Sequence, residues 1–137
     1  MDSKAKNIVD NFETLNSWED KYEYLISLGE EAPSPPLEIK IDGNLIAGCQ
    51  SKVWLFCEKK NKKLYFYGDS DALITRGLIS LAVLLYSGNT AKEVVDFKGN
   101  VFLDIGLNNH LSMTRLNGLA NMIKKIRDYA KGFFTKR

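Results

Sequence analysis

Apolar residues recur at helical spacing through the first part of the chain. Ile8, Phe12 and Leu15 mark one amphipathic segment over residues 3–15, and Trp18, Tyr22, Leu25, Ile26 and Leu28 mark a second that begins after Ser17. Ser17 is suited to cap that helix, Glu19 and Asp20 stand in the first turn where the helix dipole favours carboxylates, and Gly29 is expected to end it. Residues 30–36 hold three prolines and predict an irregular connector. The alternation of Leu37, Ile39 and Ile41 suggests a short extended segment, closed by the turn dipeptide Asp42-Gly43.

Beyond residue 50 the pattern changes. Residues 52–58 predict a strand, 59–62 a turn and 63–67 a second strand, together an antiparallel hairpin. Both strands carry apolar or aromatic residues on both faces, so helices are expected over one face and a loop or a partner over the other. Gly68-Asp69-Ser70-Asp71 then opens a helix that runs to about Ser87. It is apolar nearly all round, which predicts the central buried helix; Arg76 and its length below the roughly 20 residues of a membrane span exclude a transmembrane role. Gly88 closes it, and Thr90 with Glu93 forms a capping box for a short helix ending near Phe97. Residues 99–109 show little periodicity beyond a helical turn at 102–105. Ser112 caps the last helix, whose buried stripe is Leu116, Leu119, Ile123 and Ile126 and whose end is expected at Gly132. This order of elements predicts an α+β domain, a small antiparallel sheet packed against helices.

A chain of 137 residues with 45% apolar and 26% charged side chains fits one domain spanning residues 1–137. Two cysteines and no apolar leader predict a reducing, cytoplasmic setting. The net charge of +2 is unevenly placed: residues 1–40 hold nine acidic and four basic side chains, residues 111–137 one acidic and seven basic. Lys124, Lys125, Arg127 and Lys131 read as the solvated face of the last helix. The separation of charge suits a protein partner better than nucleic acid, because no basic stripe is interleaved with stacking aromatics. Without a Cys-x-x-Cys pair or a glycine-rich phosphate loop, neither a metal nor a nucleotide site is expected.

The candidate chemistry lies in residues 46–54, Ile-Ala-Gly-Cys-Gln-Ser-Lys-Val-Trp. Gly48 gives the backbone freedom to turn just before Cys49, and the apolar strand that follows offers a rigid base. From these residues alone, Cys49 is either a small buried hydrophobe or a reactive thiol.

Three separated motifs bear on that choice. Gly48-Cys49-Gln50-Ser51 with Val53-Trp54, then Gly68-Asp69-Ser70-Asp71-Ala72 with Ile74 and Arg76-Gly77-Leu78, then His110-Leu111-Ser112 with Arg115, Asn117-Gly118-Leu119 and Met122-Ile123, resemble the SufE family of sulfur-acceptor proteins. The likeness runs in register from about residue 11 to residue 131. It implies a fold similar to that of IscU scaffold proteins and a role in iron-sulfur cluster assembly. In that role Cys49 would take persulfide sulfur from a cysteine desulfurase of the SufS or CsdA type, stimulate its turnover and pass the sulfur to a downstream iron-sulfur scaffold. The pyridoxal phosphate belongs to the desulfurase, so this chain is expected to bind no cofactor and to have no independent turnover. A homodimer is left open.

The resemblance also implies roles for individual residues. Arg115 would stabilise the Cys49 thiolate or persulfide, and His110 would either tune the thiol or make a structural hydrogen bond. Asp69, Asp71 and Arg76 are expected to cap and anchor the central helix near the Cys49 loop. Independently of the resemblance, Gly43 and Gly48 allow backbone changes at little steric cost, so residues 43–51 are expected to move when the thiol is presented. Cys57 lies eight residues beyond Cys49; along an extended strand that is roughly 26 Å, too far for a disulfide, and Cys57 reads as a core residue with a minor redox role left open. An IscU-like scaffold needs several thiolate ligands, and one usable cysteine with one histidine is too few. Two alternatives to a sulfur carrier remain: a cysteine-nucleophile hydrolase using Cys49 and His110, and a non-catalytic interaction module in which Cys49 is dispensable.

Overall fold

The computed structural model describes residues 1–32, 35 and 37–135. The two N-terminal apolar patterns are helices, α1 (Asp2–Glu13) and α2 (Trp18–Glu31). Ile8 and Phe12 of α1 are buried, and Ser17 caps α2 by accepting a hydrogen bond from the Asp20 amide. Gly29 does not end α2, which continues for two more residues. The expected irregular connector at 30–36 therefore begins later, and its residues 33, 34 and 36 lie outside the described residues. The expected extended segment after it is replaced by two 3-10 turns, Leu37–Ile39 and Asp42–Asn44. Its apolar residues do not share a buried face: Ile39 is buried, whereas Leu37 and Ile41 are exposed. Local bonds hold this stretch, among them Asn44 Nδ2 to the Ile39 carbonyl at 2.8 Å.

The hairpin consists of β1 (Val53–Lys60) and β2 (Lys63–Ser70), paired antiparallel from Val53 opposite Ser70 to Lys60 opposite Lys63. Its turn is shorter than the four residues expected. Only Asn61 and Lys62 lie outside the ladder, both left-handed (φ 52° and 69°), as the twist of a two-residue hairpin loop requires. β2 also runs three residues further than expected. Gly68, Asp69 and Ser70 are poor strand formers, but their pairing with Leu55, Trp54 and Val53 overrides that preference.

Val53, Leu55, Cys57, Leu64 and Phe66 form the buried inner face, while Trp54, Phe56, Tyr65 and Tyr67 lie on the outer face and are only partly covered. A two-stranded sheet exposes two edges, and both are blunted here. On the β2 edge, the Leu64 amide donates to Asn89 O, the Gly88 amide donates to Leu64 O, and Ser87 Oγ serves the Phe66 amide and carbonyl. On the β1 edge, the Ile46 amide donates to Val53 O and Tyr129 Oη to Leu55 O.

α3 (Leu73–Tyr86) covers the inner face of the hairpin and buries Leu78, Ile79, Leu81, Ala82, Leu85 and Tyr86. It crosses α2 so closely that the crossing depends on two glycines. A Cβ on Gly77 would stand 2.3 Å from the Leu25 carbonyl oxygen, and one on Gly29 would stand 3.0 Å from the Gly77 nitrogen. Backbone atoms cannot give way as a flexible side chain can. Gly77→Ala is accordingly expected to push the helices apart and cost about 2 kcal/mol, read as a fall in the thermal midpoint. Gly132→Ala is the control: a Cβ there meets no atom within 4 Å, and alanine is the better helix former.

The remaining elements are α4 (Ala91–Asp96), closed by the expected Thr90/Glu93 capping box, α5 (Val101–Asp104), a 3-10 turn (Leu107–Asn109) and α6 (Met113–Thr135). α5 starts one residue before the helical turn expected at 102–105, with Asn100 as its cap. Ser112 Oγ accepts from the Arg115 amide at the start of α6. Gly132 does not stop α6, which runs on to Thr135. Leu119, Met122, Ile126 and Ala130 are its buried stripe, with Leu116 and Ile123 half-buried. Arg127 is not on the solvated face: its guanidinium donates to the Phe97 carbonyl at 2.7 Å and ties α6 to the end of α4. The architecture is α+β, and among the described residues no helix is long and apolar enough to cross a membrane.

Candidate active site around Cys49

Cys49 sits in a short loop fastened at both ends. At the entrance, Ile46 donates its amide to Val53 O at 2.8 Å. At the exit, the Lys52 amide donates to Asp71 Oδ1 at 3.1 Å, while Lys52 O accepts from the Asp71 amide and from Ser70 Oγ. Residues 47–51 arch between these clasps. Gly48 takes a left-handed conformation (φ +81°), which a side chain would strain.

The loop leans on one face of α6. Cys49 Sγ lies 3.7 Å from the Gly118 carbonyl oxygen, at the long limit for a thiol donor, and Asn121 Nδ2 donates to Gly48 O at 3.2 Å. A Cβ on Gly118 would sit 3.6 Å from the sulfur, an ordinary van der Waals contact, so the thiol lies directly against this turn of α6. Thr75 and Leu78 of α3 and Thr114, Arg115, Gly118 and Met122 of α6 enclose a recess of about 70 Å³ beside Cys49. That is the liquid volume of about two waters, room enough for one sulfur atom added to the thiol.

In this position Cys49 favours its protonated form. Burial pushes the thiol pKa up, and the carbonyl beside it can accept a proton-borne hydrogen bond but repels a thiolate. Cys57 is held far more firmly in the thiol form: burial, with the Glu58 carboxylate adding to it, pushes its pKa up to about 12. Both cysteines are free, Cys57 packed in the inner face of the hairpin and Cys49 half-buried.

Asp69, Asp71 and Arg76 lie behind the loop, but the carboxylates do not act as helix caps. Ala72 is the N-cap of α3 and makes no side-chain cap. Asp71 instead fastens Lys52, and Asp69, itself buried, is the centre of a charge cluster whose two cations are partly exposed. Its Oδ1 accepts from the Ser70 amide at 2.8 Å and pairs with Arg76 Nε at 2.9 Å, and its Oδ2 pairs with Lys40 Nζ at 2.6 Å. Burial alone would raise the Asp69 pKa; the Lys40 bond, the Ser70 amide and the two cations outweigh it and hold the carboxyl below its ordinary value. The connector, the hairpin and α3 therefore meet directly behind the loop.

Of the residues singled out by sequence, the structure brings Cys49 and Arg115 to the same recess. Arg115 is exposed in the first turn of α6, and among the described residues no carboxylate stands within ion-pair distance of it. His110 is placed elsewhere. Its ring stacks on Trp18 with centroids 3.7 Å apart and planes 21° apart, its carbonyl accepts from Tyr22 Oη, and it does not line the Cys49 recess. Asn121 was not singled out by sequence. The only signal for it is its spacing, three residues beyond Gly118 and so on the same face of α6.

Comparison with known proteins adds to this geometry. The model of the family described as SufE, an Fe-S metabolism associated domain, matches residues 6–130. An uncharacterized SufE-like protein of Rhizobium meliloti (strain 1021) is 39% identical over 91% of this chain and 93% of its own. The cysteine desulfuration protein SufE of Wigglesworthia glossinidia brevipalpis is 34% identical over 97% of this chain and 94% of its own. The sulfur acceptor protein CsdE of Escherichia coli (strain K12) is 38% identical over 84% of this chain and 80% of its own. In fold, the chain is similar to a hypothetical protein from Thermus thermophilus whose solution structure is known, with a TM-score of 0.81 at 18% identity over 97% of each chain.

Proposed function

The chain belongs to the SufE family, and from that membership we propose that it is a sulfur acceptor and carrier working through Cys49. The observation that carries the proposal is the half-buried Cys49 thiol on a short loop between two clasps, beside a recess that Arg115 also lines. The donor is the persulfide of a cysteine desulfurase. Once the loop lifts away from α6, the thiol loses its proton to solvent, and the Cys49 thiolate attacks the outer sulfur of the persulfide. A new S–S bond forms on Cys49, the donor's S–S bond breaks, and the donor cysteine departs as a thiolate that takes up a proton. The exchange is electronically balanced and calls for no cofactor on this chain. Removing the product persulfide from the desulfurase would stimulate its turnover, and the sulfur carried on Cys49 would go to iron-sulfur cluster assembly.

The hydrolase alternative finds less support in the geometry. His110, the one histidine of the chain, stacks on Trp18 and does not line the recess, so no imidazole base stands beside the thiol. The test of the carrier reading is incubation with a desulfurase and cysteine, followed by digestion without reductant and mass spectrometry. A Cys49 peptide heavier by one sulfur is expected. Its absence while the desulfurase turns over would sink the proposal.

Arg115 supplies the cation at this site, and its contribution is separable from folding. Arg115→Ala is expected to slow sulfur acceptance several-fold and to raise the pKa of Cys49 in the lifted loop, with the thermal midpoint unchanged because the apolar stripe of α6 is intact. Arg115→Lys should recover part of the rate, since the charge returns without the planar fork. Identical pH profiles of Cys49 alkylation in the wild type and Arg115→Ala would reduce Arg115 to a surface residue.

A further inference from the structure

We infer that Asn121 is a positioning residue, the latch whose hydrogen bond to the Gly48 carbonyl sets how often the Cys49 loop opens. The inference rests on the carrier reading for its consequence in sulfur transfer, and on geometry alone for its mechanism. Among the described residues, the hydrogen bonds that residues 47–51 make to the rest of the protein are two: Cys49 Sγ to Gly118 O and Asn121 Nδ2 to Gly48 O. The first is long and disappears when the thiol ionises. The second has ordinary length and a neutral donor that does not titrate, so it is the contact that holds the closed loop whatever the state of the sulfur.

The two ends of the loop make the same point. The clasps Ile46–Val53 and Lys52–Asp71 hold residues 46 and 52 on the hairpin and behind α3, so opening is confined to the five residues between them. This is narrower than the movement of 43–51 expected from sequence, because residues 42–44 form a 3-10 turn and Leu45 is bridged to Trp54. Asn121 grips the middle of that span, at the residue whose backbone must turn. The fit is close: a Cβ on Gly48 would lie 2.4 Å from Asn121 Nδ2, so the amide occupies the space that any other residue at 48 would fill. Gly48 thus provides both the left-handed turn and the seat for the latch.

A neutral hydrogen bond of ordinary net strength shifts an opening equilibrium by roughly two- to tenfold. The latch is tested in the protein alone, with iodoacetamide and mass spectrometry of the Cys49 and Cys57 peptides. Asn121→Ala removes the donor and the bulk, and alanine favours the helix; Asn121→Leu removes the donor while keeping the bulk. Both are expected to alkylate Cys49 about two- to tenfold faster than wild type, with Cys57 unreactive and the thermal midpoint unchanged. Asn121→Gln, which keeps a donor one methylene further out, should recover part of the protection. Unchanged Cys49 rates in both variants would overturn the inference, as would acceleration in Asn121→Ala alone, which would assign the effect to bulk. Parallel acceleration of Cys57 would also overturn it, by showing general loosening. With a desulfurase present, sulfur uptake in the variants should rise in the same ratio. Faster alkylation without sulfur uptake in any variant or the wild type would leave the latch standing and remove the carrier reading.

Discussion

Cys49→Ser is expected to accept no sulfur at all while folding like the wild type. A hydroxyl is close to a thiol in size, so the recess and the Gly48 turn are preserved, but at neutral pH it is a very poor nucleophile toward a persulfide and cannot form one. Cys57→Ser is the informative counterpart. Burial and the Glu58 carboxylate push the Cys57 pKa up to about 12, so at neutral pH it stays a thiol, and it is buried in the inner face of the hairpin. Replacing it should leave sulfur acceptance intact, with about 1–3 kcal/mol lost where a hydroxyl enters an apolar layer. Each protein would be incubated with desulfurase and cysteine, digested without reductant and weighed peptide by peptide. The added sulfur should stand on Cys49 in the wild type and in Cys57→Ser, and nowhere in Cys49→Ser. Sulfur accumulating on Cys57 in Cys49→Ser, with turnover still stimulated, would show that Cys49 is the wrong acceptor.

A closed loop that opens for transfer, as proposed above, would divide two requirements that conflict in one thiol. A carrier must attack readily and yet not react with every oxidant in solution. Against α6, Cys49 faces a carbonyl and has its pKa raised, which keeps it a thiol; lifted from α6, as the proposed transfer requires, it would meet solvent close to Arg115, which lines the same recess. Cys57 cannot interfere, since it is held on the opposite side of the β1 backbone from solvent and forms no disulfide with Cys49. A second accessible thiol at this point would displace the carried sulfur by closing a disulfide.

Elements whose signals are local were legible in the sequence. Ser17, the Thr90/Glu93 box and Ser112 each fix a helix start through side-chain bonds within four residues, and all three stand where the pattern put them. What failed was decided across the chain. Gly29 and Gly132 are glycines inside helices, the first because α3 presses against it. Gly68 to Ser70 joined β2 because β1 was there to pair with, and the Leu37 to Ile41 alternation collapsed into turns because Ile39 alone finds the core. The site followed the same division. Cys49 and Arg115 were legible from residue types in a motif, whereas the stack of His110 on Trp18 and the grip of Asn121 on Gly48 join residues 92 and 73 positions apart, which no local spacing encodes.

Asp69→Asn is expected to be among the most damaging substitutions in the chain that leave the thiol chemistry itself untouched. The asparagine can still accept from the Ser70 amide through one oxygen, but it then turns an NH₂ toward the Lys40 ammonium and gives Arg76 no charge to pair with. Removing one partner of a buried ionic cluster costs about 3–5 kcal/mol; with the Lys40 and Arg76 side chains 31% and 36% exposed, the lower end applies. For a domain of this size about 3 kcal/mol lowers the thermal midpoint by roughly 10 °C. The sign of the pH dependence follows from the lowered Asp69 pKa. Its contribution is fully present above the ordinary carboxylate value of 3.8 and is lost as pH falls through the lower folded value, because the unfolded chain takes up the proton first. The gap in stability between wild type and Asp69→Asn should therefore be constant from pH 6 to 8 and close on acidification below that value. Ser70, bonded to Asp69 and to Lys52 O, carries the disturbance to the exit clasp of the Cys49 loop, so the variant should also alkylate Cys49 faster at temperatures well below its midpoint. Urea titrations across that pH range measure the first effect, and a gap unchanged down to pH 3 would show that Asp69 is not held ionised by Lys40 and Arg76.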